Sequence, residues 1–243
     1  FVHPFNDPLV MAGQGTIGLD ILDQLPDVEA LIVPVGGGGL ISGIATVLKA
    51  LKPSCKIYGV QAEGAKSMAV SFHDKKITKL PHCSTIADGI AVKSVSENIF
   101  KNYICKYVDD IVTVSEDEIA EGIVYYMERA KTVVEGAAGT TFAAAQKLKG
   151  KLGKKCLLLL CGGNIDLNMI SKVIERGLMK HGRLKSVRVA VEDSPGKLSA
   201  LTKIIADMRA NIIEVKHDRA VEGLYLRETA IEFLLETSGF NQI

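Results

Sequence analysis

No apolar run in these 243 residues approaches the roughly 20 that a membrane-crossing helix needs. None carries the flanks of a signal peptide either, so the sequence predicts no membrane association. Charge of one sign is also missing. A formal net charge of +1 gives no basis for expecting nucleic acid or an acidic partner. The five cysteines, Cys55, Cys83, Cys105, Cys156 and Cys161, form no C-x-x-C pair and are odd in number. Without a secretory signal this predicts reduced thiols in a cytoplasmic protein. An initiator methionine is absent too: the chain opens on Phe1, which suggests a start inside a longer protein.

What is present centres on Ala30 to Ala50, ALIVPVGGGGLISGIATVLKA. A buried-looking strand, Leu31-Ile32-Val33, runs through Pro34-Val35 into Gly36, Gly37, Gly38 and Gly39. Apolar residues then recur at helical spacing, from Leu40 and Ile41 through Ile44, Val47, Leu48 and Leu51. Strand, glycine run and helix present free backbone N–H groups to an anion, and glycine lets the chain come close to phosphate oxygens. The competing reading is a tight strand-to-helix turn.

Strands and helices alternate along most of the chain, which predicts an α/β fold with a mainly parallel doubly wound sheet. The turn-rich opening through Pro8 excludes a regular element, and a helix is expected over about 15–24, stopped by Pro26. A strand over Lys56 to Gln61 and a short helix near Ala65 to His73 follow. Asp74 to Ser96 looks irregular, with a turn at Ile86-Ala87-Asp88-Gly89. A helix is expected over Glu97 to Tyr107 and a strand over Asp110 to Val114. Ser115 and Glu118 form a capping box, ahead of a buried face of Ile119, Ile123, Val124 and Met127. A Gly/Ala-rich helix covers Gly136 to Lys149; its lysine-rich end reads as a solvated terminus. Cys156 to Leu160 is the most apolar strand and is expected at the centre of the sheet. It leads into a second glycine turn, Cys161-Gly162-Gly163-Asn164, and ligands in open α/β sheets bind at that strand end. A helix over about 167–179 and a linker at His181 to Arg183 complete this part.

From Lys185 the pattern changes. Ser186 to Glu192 alternates as a half-exposed strand. Asp193-Ser194-Pro195-Gly196 begins a helix, with Pro195 suited to its first turn. Asn211 to Lys216 and Thr229 to Thr237 are two more strands. The order is β-α-β-β, with one face of the sheet left bare.

Residues 1–182 resemble the C-terminal half of fold-type II pyridoxal-phosphate enzymes, in the threonine dehydratase and serine racemase branch. The matching landmarks are His3-Pro4-Phe5, Ala12-Gly13-Gln14-Gly15-Thr16, Val33 to Leu40, Ile86 to Gly89, Val108-Asp109-Asp110, Glu116 to Ile119 and Gly162 to Asp166. Residues 185–243 resemble part of an ACT domain, a ferredoxin-like α+β module that usually binds amino acids. The resemblance implies pyridoxal 5'-phosphate as cofactor, with its phosphate on Gly36, Gly37, Gly38, Gly39 and Leu40. Cys161 stands where the family usually has a serine bonded to the pyridine nitrogen; small core filler is the alternative. Glu135 matches an acidic residue close to the ring, or else is a helix-terminus carboxylate. Gly89 lies near the cofactor in relatives, and alone reads as a turn. Glu63 matches a cation ligand of some members, but Ala69 replaces its partner, so no metal is expected.

The implied activity is β-elimination and deamination of L-threonine or L-serine to 2-oxobutanoate or pyruvate and ammonia, with an amino-acid effector at the ACT part. Such an enzyme is expected as a homodimer or homotetramer. Candidate effector contacts are Asp193, Gly196 and Asn211; for Asp193 a plain helix cap is the alternative. The resemblance also exposes a gap. The family's cofactor-anchoring lysine, in a Ser-Phe-Lys-x-Arg-Gly stretch, has no counterpart between Phe1 and Ile243, so no catalytic residue is assigned and this stretch alone is expected to be inactive. Lys49 and Lys52, after the glycine run, are expected to be solvated. A racemase-like enzyme, or a non-catalytic cofactor- and amino-acid-binding fragment, are the alternatives.

Overall fold

A computed structural model describes residues 2–220 and 222–239; residues 240–243, where the second module was expected to end, lie outside the described residues. The chain forms two compact units, Phe1–Ile170 and Ser171–Ile243. The division falls ahead of the change of pattern at Lys185.

In the first unit, helix α1 spans Pro8–Gln24. It begins well before Gly15 because the Asp7 carboxylate accepts the Leu9 and Val10 N–H groups, while Pro8 takes the first helical position. Strand β1 (Ala30–Pro34) is buried throughout. Helix α2 (Gly39–Leu51), strand β2 (Lys56–Ala62) and helix α3 (Ser67–Asp74) follow. The stretch expected as one helix is α4 (Glu97–Ile99) and α5 (Cys105–Tyr107), joined by a π-helical segment, Phe100–Ile104. Strand β3 is Asp110–Val114. Helix α6 (Glu116–Tyr125) opens on the expected capping box: the Ser115 hydroxyl accepts from the Glu118 N–H, and the Glu118 carboxylate accepts from the Ser115 N–H. A π-helical segment, Tyr126–Ala130, continues it and changes the register, so Tyr126 rather than Met127 is buried, bonded to Thr141. Helix α7 is Gly136–Lys147 and strand β4 is Cys156–Leu158; helix α8, Leu167–Lys180, begins here and continues past Ile170 into the second unit.

The sheet is parallel, in the order β3-β2-β1-β4. Strand β4 therefore lies at its margin, not at its centre as its leucines suggested. It is three residues long and half-exposed, whereas β1 is flanked on both sides and carries the buried Leu31, Ile32 and Val33. Apolarity marks a strand as packed against something; it does not say which strand pairs on both edges.

Lys49 corrects a second expectation. Its ammonium is not solvated: with its side chain only 18% exposed, it donates to the Cys55 carbonyl and lies 2.7 Å from the Asp109 carboxylate. Lys52 donates to the Pro26 carbonyl. Asp109 also accepts from Lys56 and from the Ile57 N–H. Burial pushes the Asp109 carboxyl up, but the Lys49 and Lys56 ammoniums and the Ile57 N–H outweigh it and hold it below its ordinary value. A depressed carboxyl stabilises the fold above its unfolded-state value of about 4, and that contribution is lost as pH falls through the folded value. Asp109→Asn is accordingly expected to lower the urea midpoint at pH 7. The midpoints of the two chains should converge as pH falls below about 4; an equal gap at every pH would contradict the assignment.

In the second unit, strand β5 (Leu184–Glu192), helix α9 (Lys197–Asp207), strand β6 (Asn211–Asp218) and strand β7 (Glu228–Glu236) form an antiparallel sheet in the order β5-β7-β6. The last strand inserts between the first two, the split β-α-β arrangement of ferredoxin-like modules. Ile231, Phe233 and Leu235 pack with Val187, Val191, Leu201 and Ile205. The opposite face carries a polar network in which Ser186 and Arg188 donate to Glu232.

Candidate functional site

Topology places the site before any side chain is considered. From β1 the chain moves outward to β2 and β3, then returns to the other flank of β1 as β4. The strand order reverses between β1 and β4, and ligands of open α/β sheets bind outside the strand ends at such a reversal. Both glycine turns follow these two strands.

Gly36 to Gly39 link β1 to α2. Gly38 is the N-cap of α2, with φ 94°, and no side chain caps the helix. The first turn of a helix has N–H groups without intrahelical partners, and they carry the positive end of its dipole. A Cβ overlaps its surroundings at Gly37, Gly38 and Gly39 and is crowded at Gly36. A Cβ on Gly37 would fall 2.3 Å from the Phe5 ring, and one on Gly39 would lie 2.8 Å from the Phe5 backbone. On Gly38 it would meet Ile99 and Met68 at 2.7 and 2.9 Å, and on Gly36 it would meet the Ile90 Cα at 3.1 Å. The loop is therefore a backbone cradle, with Leu40 half-buried at its end, and its chemistry suits a phosphate. Phe5, in the sequence no more than part of the His3-Pro4-Phe5 landmark, closes one side of it.

The second glycine turn meets Glu135. This carboxylate occupies the N-cap position of α7 but does not cap it. Instead its Oε2 accepts from the Asn164 N–H at 3.2 Å, and its own N–H donates to the Gly162 carbonyl at 3.4 Å. A Cβ on Gly162 would overlap the carboxyl at 2.2 Å, and one on Gly89 would lie 3.0 Å from its Oε1. The fold thus brings Gly89, Glu135 and Cys161 together, and Gly36 adjoins Gly89 through the Ile86–Ile90 segment. Burial, with the Glu135 charge behind it, pushes the half-buried Cys161 thiol up, so it stays protonated at neutral pH and is able to donate. Beside these groups lies a cavity of about 450 Å³, lined by Thr85, Asp88, Gly136, Asn164, Asp166 and neighbouring residues.

In the second unit, a cavity of about 310 Å³ is lined by Asp193, Gly196, His217, Arg219 and others. Asp193 does not cap α9, whose N-cap is Gly196; it pairs with Arg219 through two hydrogen bonds of 2.7 and 3.2 Å. The Arg219 hydrogen bonds hold the Asp193 carboxyl below its ordinary value. Pro195 precedes the helix instead of starting it. Asn211 is not brought to this cavity. It begins β6 opposite Glu236 and donates to that carboxylate, at the far end of the strand from Asp218 and Arg219.

Among the described residues no helix is long and apolar enough to cross a membrane. Residues 1–162 match the family of pyridoxal-phosphate dependent enzymes. The chain is 46% identical over 237 residues to an L-threonine ammonia-lyase of Thermotoga maritima, covering 98% of this chain and 59% of that protein. To an L-threonine ammonia-lyase of Geobacter sulfurreducens it is 47% identical over 244 residues, covering 100% of this chain and 60% of that one. The structure of the processed form of threonine deaminase isoform 2 from Solanum lycopersicum aligns with a TM-score of 0.68 at 36% identity, over 73% of this chain and 50% of that one. The chain therefore spans about three-fifths of the length of the curated relatives it matches.

Proposed function

Because the chain belongs to the family of pyridoxal-phosphate dependent enzymes, we propose that its glycine cradle holds the phosphate of that cofactor in a threonine ammonia-lyase. The observation that carries this reading is the cradle itself: four consecutive glycines, three of them closed to a side chain and the fourth crowded, at the uncapped start of a helix, beside the strand-order reversal. The N–H groups of Gly37 to Leu40 would bind and orient the phosphate. Cys161 would offer its thiol proton to the ring nitrogen without giving it up. Pyridoxal phosphate, when bound, supplies the electron sink that makes the α-proton of an amino acid acidic. A neutral donor at Cys161 would leave the ring nitrogen unprotonated, a setting suited to loss of a β-hydroxyl. Glu135 fixes the second glycine turn through the Asn164 N–H.

The anchoring lysine and the group that removes the α-proton come, on this reading, from residues outside this chain. The substrate is L-threonine, and also L-serine, and the products are 2-oxobutanoate or pyruvate and ammonia. For the second unit we read an ACT-like regulatory module, supported by its ferredoxin-like strand order and by the cavity at Asp193 and Gly196. Its expected ligand is an amino-acid effector, and the assembly a homodimer or homotetramer.

The test is turnover by the intact protein. L-Threonine is expected to yield 2-oxobutanoate and ammonia in equal amounts. Racemised serine with threonine left untouched would overturn the assignment.

A further inference from the structure

The segment Ile86 to Ile90 is the bar between the two halves of the candidate site. Its far end abuts the cradle, since a Cβ on Gly36 would lie 3.1 Å from the Ile90 Cα. One residue before that end, Gly89 faces the Glu135 carboxylate. Its start is pressed against the first turn of α7: a Cβ on Gly136 would lie 2.5 Å from the Ile86 carbonyl oxygen and 2.7 Å from the Ala87 Cα. Ala87 and Ile90 are buried, so a shift of this bar moves both the cradle wall and the Glu135 contact.

A side chain from elsewhere in the sequence holds the start of the bar. Glu116, the first residue of α6, accepts the Ile86 N–H on Oε2 at 2.8 Å. Its other oxygen, Oε1, is buried with no hydrogen-bond partner. A buried acceptor left unmatched is unfavourable, and native proteins keep few of them. A glutamate whose only task was to favour the start of α6 would leave its carboxylate in water, as a helix dipole requires only nearby charge. Glu116 instead turns inward and commits one oxygen to the bar. The Thr85 hydroxyl accepting from the Ala87 N–H and the Asp88 carboxylate accepting from the Gly89 N–H are local bonds that travel with the segment; the Glu116 bond ties it to another element.

We infer that Glu116 is a positioning residue, anchoring the Ile86–Ile90 bar so that the phosphate cradle and the Glu135–Cys161 side of the site keep their spacing. The inference rests on the cradle being the cofactor-phosphate site, and it touches the ligand only through the bar.

Two variants separate anchoring from a structural role in α6. Glu116→Ala removes both the acceptor and the charge. Glu116→Gln keeps an acceptor oxygen for the Ile86 N–H while removing the charge. The probe is pyridoxine 5′-phosphate, which carries the phosphate and ring but no aldehyde to react with lysines. Glu116→Ala is expected to weaken its binding to the chain about tenfold, the low end of what supporting hydrogen bonds contribute around bound groups. It should also speed amide exchange at Ile86 to Ile90 in the ligand-free chain. Glu116→Gln is expected to restore most of both. If Gln is as impaired as Ala, charge at the start of α6 is what matters and the inference is overturned. Unchanged exchange at Ile86 in Glu116→Ala overturns it as well. Failure of the unsubstituted chain to bind the probe would instead sink the phosphate reading, while the ligand-free exchange still decides whether Glu116 anchors the bar.

Discussion

Gly38→Ala is expected to weaken binding of pyridoxine 5′-phosphate by about 10- to 100-fold. The Gly38 backbone sits at φ 94°, in a region that side chains rarely adopt, and a new Cβ would meet Ile99 at 2.7 Å and Met68 at 2.9 Å. Relief requires the peptide to rotate, which turns the N–H groups of the cradle away from a common centre. Hydrogen bonds to a charged group are worth about 1.5–3 kcal/mol each, and each 1.4 kcal/mol is tenfold in affinity. Strain at such a position also costs about 1–3 kcal/mol of stability, so a control is needed. Gly150 has φ 93° with open space around the site of a Cβ. Gly150→Ala should carry similar backbone strain and bind the probe like the unsubstituted chain. Equal binding by the Gly38 and Gly150 variants would remove Gly38 from the site.

A large loss of stability is expected from Gly43→Ala, at the crossing of α1 and α2. A Cβ there would lie 2.2 Å from the Met11 carbonyl oxygen and 2.8 Å from the Gly15 backbone nitrogen. Both are main-chain atoms of a helix, so no rotamer change relieves the overlap. The two helices must separate, drawing Met11 and Ile44 away from the core they share. Overpacking of this kind costs about 1–3 kcal/mol and occasionally more, and Gly43→Ala belongs at the upper end. Gly13→Ala is the matched comparison: the position lies within α1, with nothing within 4 Å of the new Cβ. There alanine should stabilise by about 0.5–1 kcal/mol through helix propensity. Urea unfolding of the pair checks both signs, and a Gly43→Ala midpoint at or above that of the unsubstituted chain would contradict the crossing geometry. The same helix also positions the site, because α2 starts at the cradle.

Much of this is legible in the sequence wherever the signal is local. The Ser115–Glu118 capping box, the strand–glycine–helix unit and the alternation of the parallel fold each depend on residues a few positions apart, and all three are found. The neighbourhood of Gly89, Glu135 and Cys161 comes from the family resemblance, and the fold does bring these residues together. What fails depends on pairing over long separations. The leucines of β4 announce burial, but only strand order decides that β4 is marginal. Lys49 reads as a solvated helix residue because its partner, Asp109, lies 60 positions away. Asn211 groups with Asp193 in the sequence because strand starts and helix starts often converge; the antiparallel register sends Asn211 to the other end of the sheet instead. Phe5 and Glu116 are visible only as parts of motifs, since neither the ring against Gly37 nor the bond to Ile86 leaves any periodic trace.

The central claim is that the backbone of Gly36 to Leu40 binds the cofactor phosphate. Residue-resolved amide exchange of the chain, with and without pyridoxine 5′-phosphate, tests it most directly. Slowed exchange concentrated at Gly37 to Leu40, with a weaker effect at Ile86 to Ile90, is the predicted result. Binding of the probe with no slowing at those amides, or with protection confined to residues outside the β1–β4 strand ends, would contradict it.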